Sequence, residues 1–116
     1  MAGNRGVGRM GEEIAVKYLT DVKHAVILAR NFTVKCGEID IVAQIDDIIC
    51  FVEVKLRTSL DPHEAITQGK MRSLTKAARL YLQMAHMTDR YARFDAALIT
   101  FPDSIEYIEN AFDAID

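Results

Sequence analysis

The sequence is poor in residues that bind structural metals. It holds two cysteines, Cys36 and Cys50, without CxxC spacing, and three scattered histidines, His24, His63 and His86. None of the five shares a ligand spacing with another, which argues against a structural zinc site. No apolar run approaches membrane-spanning length, and Met1-Ala-Gly-Asn-Arg5 is not followed by the apolar stretch of a signal peptide. The expectation is a cytoplasmic protein with reduced thiols and no membrane partner. Repeats, low-complexity tracts, linker-like stretches and cofactor-binding loops are also missing. One domain over residues 1–116 is expected, with residues 1–7 flexible. A dense basic patch is lacking as well, since the net charge is −3. Five of the acids lie between Asp103 and Asp116, where there is no Lys or Arg, and the preceding residues sum to +2. Charge therefore neither supports nor excludes a nucleic-acid partner.

What is present is an ordinary globular balance, 50% apolar and 27% charged, enough to build a core. Ile14, Ala15, Tyr18 and Leu19 recur at helical spacing and predict a helix from about Arg9 to Thr20. Strands are predicted at Ala25–Val34, Glu38–Gln44 and Ile48–Leu56, the last two separated by the turn signal Asp46-Asp47. Asp61-Pro62-His63-Glu64 reads as a capping box, starting a helix that continues to about Met84 with Gly69 as a break. Phe94–Phe101 predicts a strand stopped by Pro102, and Ser104–Ile108 a short edge strand. The order αβββαβ describes an α/β domain around a mixed sheet.

A turn centred on Asp46-Asp47 pairs residues whose numbers sum to 93, placing Asp40 opposite Glu53 and Glu38 opposite Lys55. Strand alternation then gathers these four charges on one face. Ile39, Ile41, Ala43, Val52, Val54 and Leu56 take the other. Two opposed carboxylates about 5 Å apart repel by about 3 kcal/mol at an effective dielectric of 20. Folding has no use for that repulsion, and a divalent cation between Asp40 and Glu53 converts it into coordination. Lys55 is placed to balance charge or stabilise a phosphoryl transition state. The bland alternative is a Glu38–Lys55 cross-strand ion pair, with Asp40 and Glu53 facing solvent. A three-residue loop would also separate the two sets.

Asp40 followed by Glu53-Val54-Lys55 resembles the core motif of the PD-(D/E)xK superfamily, which includes restriction endonucleases and archaeal Holliday-junction resolvases. The wider pattern is similar to the YraN family of predicted nucleases. It comprises Gly8-Arg-Met-Gly11-Glu12 with Ala15 and Leu19, Arg30-Asn31-Phe32, Gly37-Glu38-Ile39-Asp40 and Phe51-Val52-Glu53-Val54-Lys55. Lys70, Ala77-Ala78 and Arg93-Phe94-Asp95 complete it. The motif departs from the strict form in having Ile39, not proline, before Asp40.

The resemblance implies a restriction-endonuclease-like αβββαβ core, with a mixed central sheet flanked by helices. It implies a Mg²⁺- or Mn²⁺-dependent endonuclease acting on DNA, branched or single-stranded. Asp40, Glu53 and the Val54 carbonyl would be metal ligands, Lys55 would position water or stabilise the transition state, and Glu12 would complete the site. Spacing agrees on Glu12, which borders the buried helix face, whereas Glu13 has Lys17 four residues on as a surface partner. Glu38 and Lys70 are accessory candidates, Lys70 with a snorkelling alternative at the margin of its helix. Arg72, Lys76, Arg79 and Gln83 form that helix's outer face, either solvated or in contact with phosphate. Asp95 pairs with Arg93 or with a backbone group. A homodimer would enlarge the modest basic surface.

Two further readings use the same residues. One is a non-catalytic module on the same fold, binding nucleic acid or assembling with protein, which metal binding would distinguish. The other, ranked last, is a small-molecule enzyme built on the carboxylate pair.

Overall fold

Two Ile- and Val-rich segments joined by Asp46-Asp47 form the hairpin at the centre of the molecule. The computed structural model describes residues 2–57 and 66–115, with side chains from residue 8 onward. In chain order the elements are α1 (Ala2–Asp21), β1 (Val26–Val34), β2 (Gly37–Ile45), β3 (Ile48–Leu56), α2 (Gln68–Met84), β4 (Tyr91–Thr100) and β5 (Ser104–Phe112). The strands form one sheet in the order β1-β2-β3-β4-β5. β3 and β4 are parallel and the other pairs are antiparallel. The parallel pair requires a crossover, which α2 supplies. The chain is thus a mixed α/β fold with the expected αβββαβ order and a fifth strand at the edge.

The β2–β3 register runs from Ile41–Val52 to Ile45–Ile48, the alignment that the Asp46-Asp47 turn predicts. Both sheet faces are covered. Ala15 and Leu19 of α1 pack on Ile41, Ala43, Val52 and Ile99. On the opposite face Leu74, Ala77 and Ala78 of α2 pack on Ile39, Val42 and Phe51. Small residues set the helix heights. A Cβ on Gly11 would come 3.0 Å from a Leu56 methyl, so glycine there lets α1 press on the end of β3. Glu12 is the next residue, which is how packing delivers a helix carboxylate to the sheet.

Several boundaries differ from expectation. Helical backbone begins at Ala2, seven residues before the predicted start. The predicted helix start at Asp61–Glu64 lies outside the described residues, and α2 does not run on from it. Ile66 and Thr67 are non-helical, and Thr67 caps α2 by accepting from the Lys70 N–H at 3.1 Å. Gly69 sits in the first turn and breaks nothing. β4 begins at Tyr91 because β3 supplies partners from Ile48 onward. β5 continues to Phe112, whose ring stacks on Phe94 at 4.6 Å. Among the described residues, no helix is long and apolar enough to cross a membrane.

Candidate functional site

The site forms where the β2–β3 ladder stops. Ile41–Val52 is its last pair, and the next residue, Asp40, turns its side chain into the gap. Asp40 Oδ2 accepts from the Val54 N–H at 2.8 Å, replacing a ladder bond with a carboxylate. On β1, Asn31 lies between the Arg30–Ile41 and Phe32–Ile39 pairs and so stands across from Asp40. Asn31 has φ 52°, a left-handed conformation that asparagine tolerates better than most residues. Alternation flips here. Arg30 reaches α1, whereas Phe32 packs with the α2 layer.

The same flip corrects one expectation about faces. Ile41 and Ala43 belong to the α1 layer with Val52, Val54 and Leu56, but Ile39 packs under α2. It also removes the Glu38–Lys55 pair, because β2 leaves β3 before reaching it. Glu38 pairs with Thr33 on β1 and is exposed. The solvent-facing alternative fails for Glu53, whose side chain is only 13% exposed.

Asp40 and Glu53 nevertheless meet, within hydrogen-bonding contact of each other. Burial, and then the charge of Asp40, pushes Glu53 up to about 8, so the pair retains a proton at neutral pH. Burial raises Asp40 too, opposed by the Val54 N–H and by Glu53. Glu53 Oε2 is buried and has no hydrogen-bond partner. Among the described residues the nearest cation is Lys70 Nζ, 3.9 Å away and too far for a hydrogen bond. Lys70 therefore reaches the site from α2, in place of the snorkelling pose. Lys55 faces the same side, and its charge also acts on Glu53. Glu53, Lys55, Lys70 and Thr67 line an open cleft of about 480 Å³.

A second cleft of about 730 Å³ lies on the α1 side, lined by Gly8, Glu12, Arg30, Asn31 and Glu38 among others. Gly8 borders both clefts. Glu12 is raised by burial and by the charge of Asp40, against hydrogen bonding from Asn31 and the charge of Arg30. It is thus electrically part of the Asp40 site, and the charge of Glu38 raises it as well, by less. Glu13 does not pair with Lys17. It meets Arg30 at 2.7 Å, and Lys17 lies 3.7 Å from Asp21. Sequence reasoning gave Arg30 and Asn31 no role of their own; the one signal was their place in the Arg30-Asn31-Phe32 motif.

Asp95 is fully buried and does pair with Arg93, whose Nε donates at 3.0 Å. It also accepts from Tyr107 Oη at 2.5 Å and from the Asn110 N–H at 2.9 Å. Every bond satisfies the carboxylate, so this group is a structural anchor for β5. Cys50 lies beside it as a buried thiol, pushed up to about 12 by burial and then by Asp95. Cys36 is also free and sits in the β1–β2 turn.

Comparison with known proteins gives the family. The family described as "Uncharacterised protein family UPF0102" matches residues 11–99, a span that includes Glu12, Asp40, Glu53, Lys55 and Lys70. A UPF0102 protein of Geotalea daltonii is 44% identical over 95% of this chain and 91% of its own. Another from Geobacter metallireducens is 45% identical over 95% of this chain and 94% of its own. The crystal structure of SSO0001 superposes on 90% of this chain and 50% of that one, at 18% identity and a TM-score of 0.48. The chain belongs to the UPF0102 family, the YraN family.

Proposed function

We propose that this chain is a divalent-metal-dependent nuclease of the PD-(D/E)xK type, hydrolysing phosphodiester bonds in DNA. The observation that carries the reading is Glu53 Oε2, a buried carboxylate oxygen with no hydrogen bond, held against a second carboxylate. Leaving such an oxygen unsatisfied costs about 1–3 kcal/mol or more, which a merely structural residue would not sustain.

The donor set fits Mg²⁺ or Mn²⁺, which favour oxygen ligands. Among the described residues no three Asp, Glu, His or Cys side chains converge to hold a metal. Mg²⁺ does not require that, since it keeps several waters and binds through one or two carboxylates. Asp40 and Glu53 would hold the ion. A strand residue points its N–H and C=O to the same neighbour, so the Val54 carbonyl faces the same gap as the N–H bonded to Asp40. The ion would supply Lewis-acid stabilisation of phosphate charge and activate water for in-line attack.

The chain's own residues supply the rest. Lys55 and Lys70 set two ammonium groups at the cleft, where they favour the charge that accumulates on a phosphoryl group under attack. Glu12, raised by burial and by the charge of Asp40, offers a carboxylate on the other side of Asp40 to accept a hydrogen bond from water. Incubating the purified protein with Mn²⁺ and duplex, single-stranded and branched DNA tests the reading. Cleavage is expected of at least one substrate, reduced at least about 100-fold in Asp40→Asn and in Lys55→Ala. Equal products from all three proteins would mean a contaminant and would end the reading.

A further inference from the structure

α2 carries Lys70, Arg72, Lys76 and Arg79 and no acidic residue. Folding favours the opposite arrangement. Acids belong in the first turn of a helix, where the macrodipole is positive, and α2 has none there. Arg72 and Lys76 are four residues apart, a spacing at which like charges weaken a helix. Both are exposed, and among the described residues neither pairs with a carboxylate.

A second element brings a further cation to the same place. Ser73 Oγ donates to the Cys36 carbonyl at 2.6 Å, fastening the two-residue β1–β2 turn, Lys35-Cys36, onto α2. Gly37 makes that approach feasible, because a Cβ there would lie 2.4 Å from Ser73 Oγ. Lys35 is exposed and also lacks a carboxylate partner among the described residues. Lys70 and Lys76 flank Ser73, three residues to either side, so they stand on adjacent turns. A cationic band thus leads from Lys70, at Glu53, across the Lys35 turn to Lys76 and Arg72.

We propose that this band is the surface on which the phosphate backbone of DNA lies as it enters the carboxylate cleft. The proposal rests on the nuclease reading for its partner, though binding itself needs no metal. Phosphates suit the band because its cations are exposed, the two elements that carry them are joined by the Ser73 bond, and Lys35, Arg72 and Lys76 have no carboxylate partner among the described residues. The band gives a chain of net charge −3 a local cationic surface, since α2 carries four bases and no acid.

The test is fluorescence anisotropy with a labelled splayed-arm DNA duplex, in chelator, over a range of NaCl concentrations. Wild type, Arg72→Gln/Lys76→Gln, Lys35→Gln and Lys17→Gln are compared, with melting curves to verify folding. Losing two phosphate contacts should flatten the slope of log K against log salt by about 1.8. The same loss weakens binding about 60-fold at 0.1 M salt. Lys35→Gln should take about half that slope change, and Lys17→Gln, an exposed cation on α1 across the sheet from the band, should bind as wild type does. No binding by wild type, or an unchanged slope in both band variants, overturns the proposal. Binding to phosphatidylserine vesicles in place of DNA overturns it too. Band-dependent binding by a protein that never cleaves leaves the surface standing and removes only the nuclease reading.

Discussion

Replacing Glu53 with glutamine should stabilise the metal-free protein at pH 8, the reverse of what loss of an ion pair would do. Glu53 sits at about 8 in the folded chain against 4.5 unperturbed. Between those values the folded state binds a proton that the unfolded state has released, so stability falls as pH rises. The shift corresponds to at most about 4 kcal/mol lost by pH 8, a large share of a typical 5–15 kcal/mol. Asp40 and Glu53 titrate as a pair, so the loss belongs to the pair. Lys70 offsets little, because it lies 3.9 Å away and its side chain is 45% exposed.

Glutamine has the same shape, carries no charge and can donate to Asp40. Urea unfolding in chelator at pH 5 and pH 8 measures the effect. With a slope of roughly 2 kcal/mol per molar, the variant's midpoint at pH 8 should exceed that of wild type by up to about 2 M. At pH 5 the two midpoints should lie close together. A variant less stable than wild type at pH 8 would refute the reasoning, because Glu53 would then be a stabilising partner of Lys70. Wild-type stability that does not fall between pH 5 and pH 8 would refute it equally.

Two further predictions concern the frame around the site. Asp95→Ala should cost about 3–5 kcal/mol in urea unfolding, because it leaves the mostly buried Arg93 only its 3.6 Å contact with Glu109 and frees Tyr107 and Asn110; a loss under 1 kcal/mol would contradict an anchoring role. Gly37→Ala should cost about 1–3 kcal/mol by overpacking against Ser73, whose carbonyl oxygen also lies 3.0 Å from the new Cβ. Gly69→Ala, with nothing within 4 Å, should be neutral or stabilising by up to about 1 kcal/mol. Equal costs for the two glycines would show that the β1–β2 turn is not pinned to α2.

The strands and their register were legible because local chemistry sets them. β-Branched runs mark β2 and β3, and Asp46-Asp47 closes a loop of even length, so the strand pattern brings Asp40 and Glu53 together as the fold does. The end of the ladder was not legible. It depends on a left-handed Asn31 across the sheet and on a carboxylate replacing a backbone bond, neither of which alternation encodes. Ile39 and Glu38 were misplaced for that reason alone. Long side chains defeated spacing rules in a second way. Arg30 takes Glu13 from Lys17, and Lys70 reaches Glu53 from seventeen positions along the chain. Glu12 came from the family resemblance, with its place on the helix in agreement, but the role of Gly11 in lowering that helix onto β3 needed the packing.

The central claim is that Asp40 and Glu53 are a metal-binding pair, and a crystal soaked in millimolar Mn²⁺ tests it most directly. An anomalous peak in contact with both carboxylates and the Val54 carbonyl oxygen is the predicted result. Well-ordered carboxylates sharing a proton, with no peak between them at saturating Mn²⁺, would contradict it.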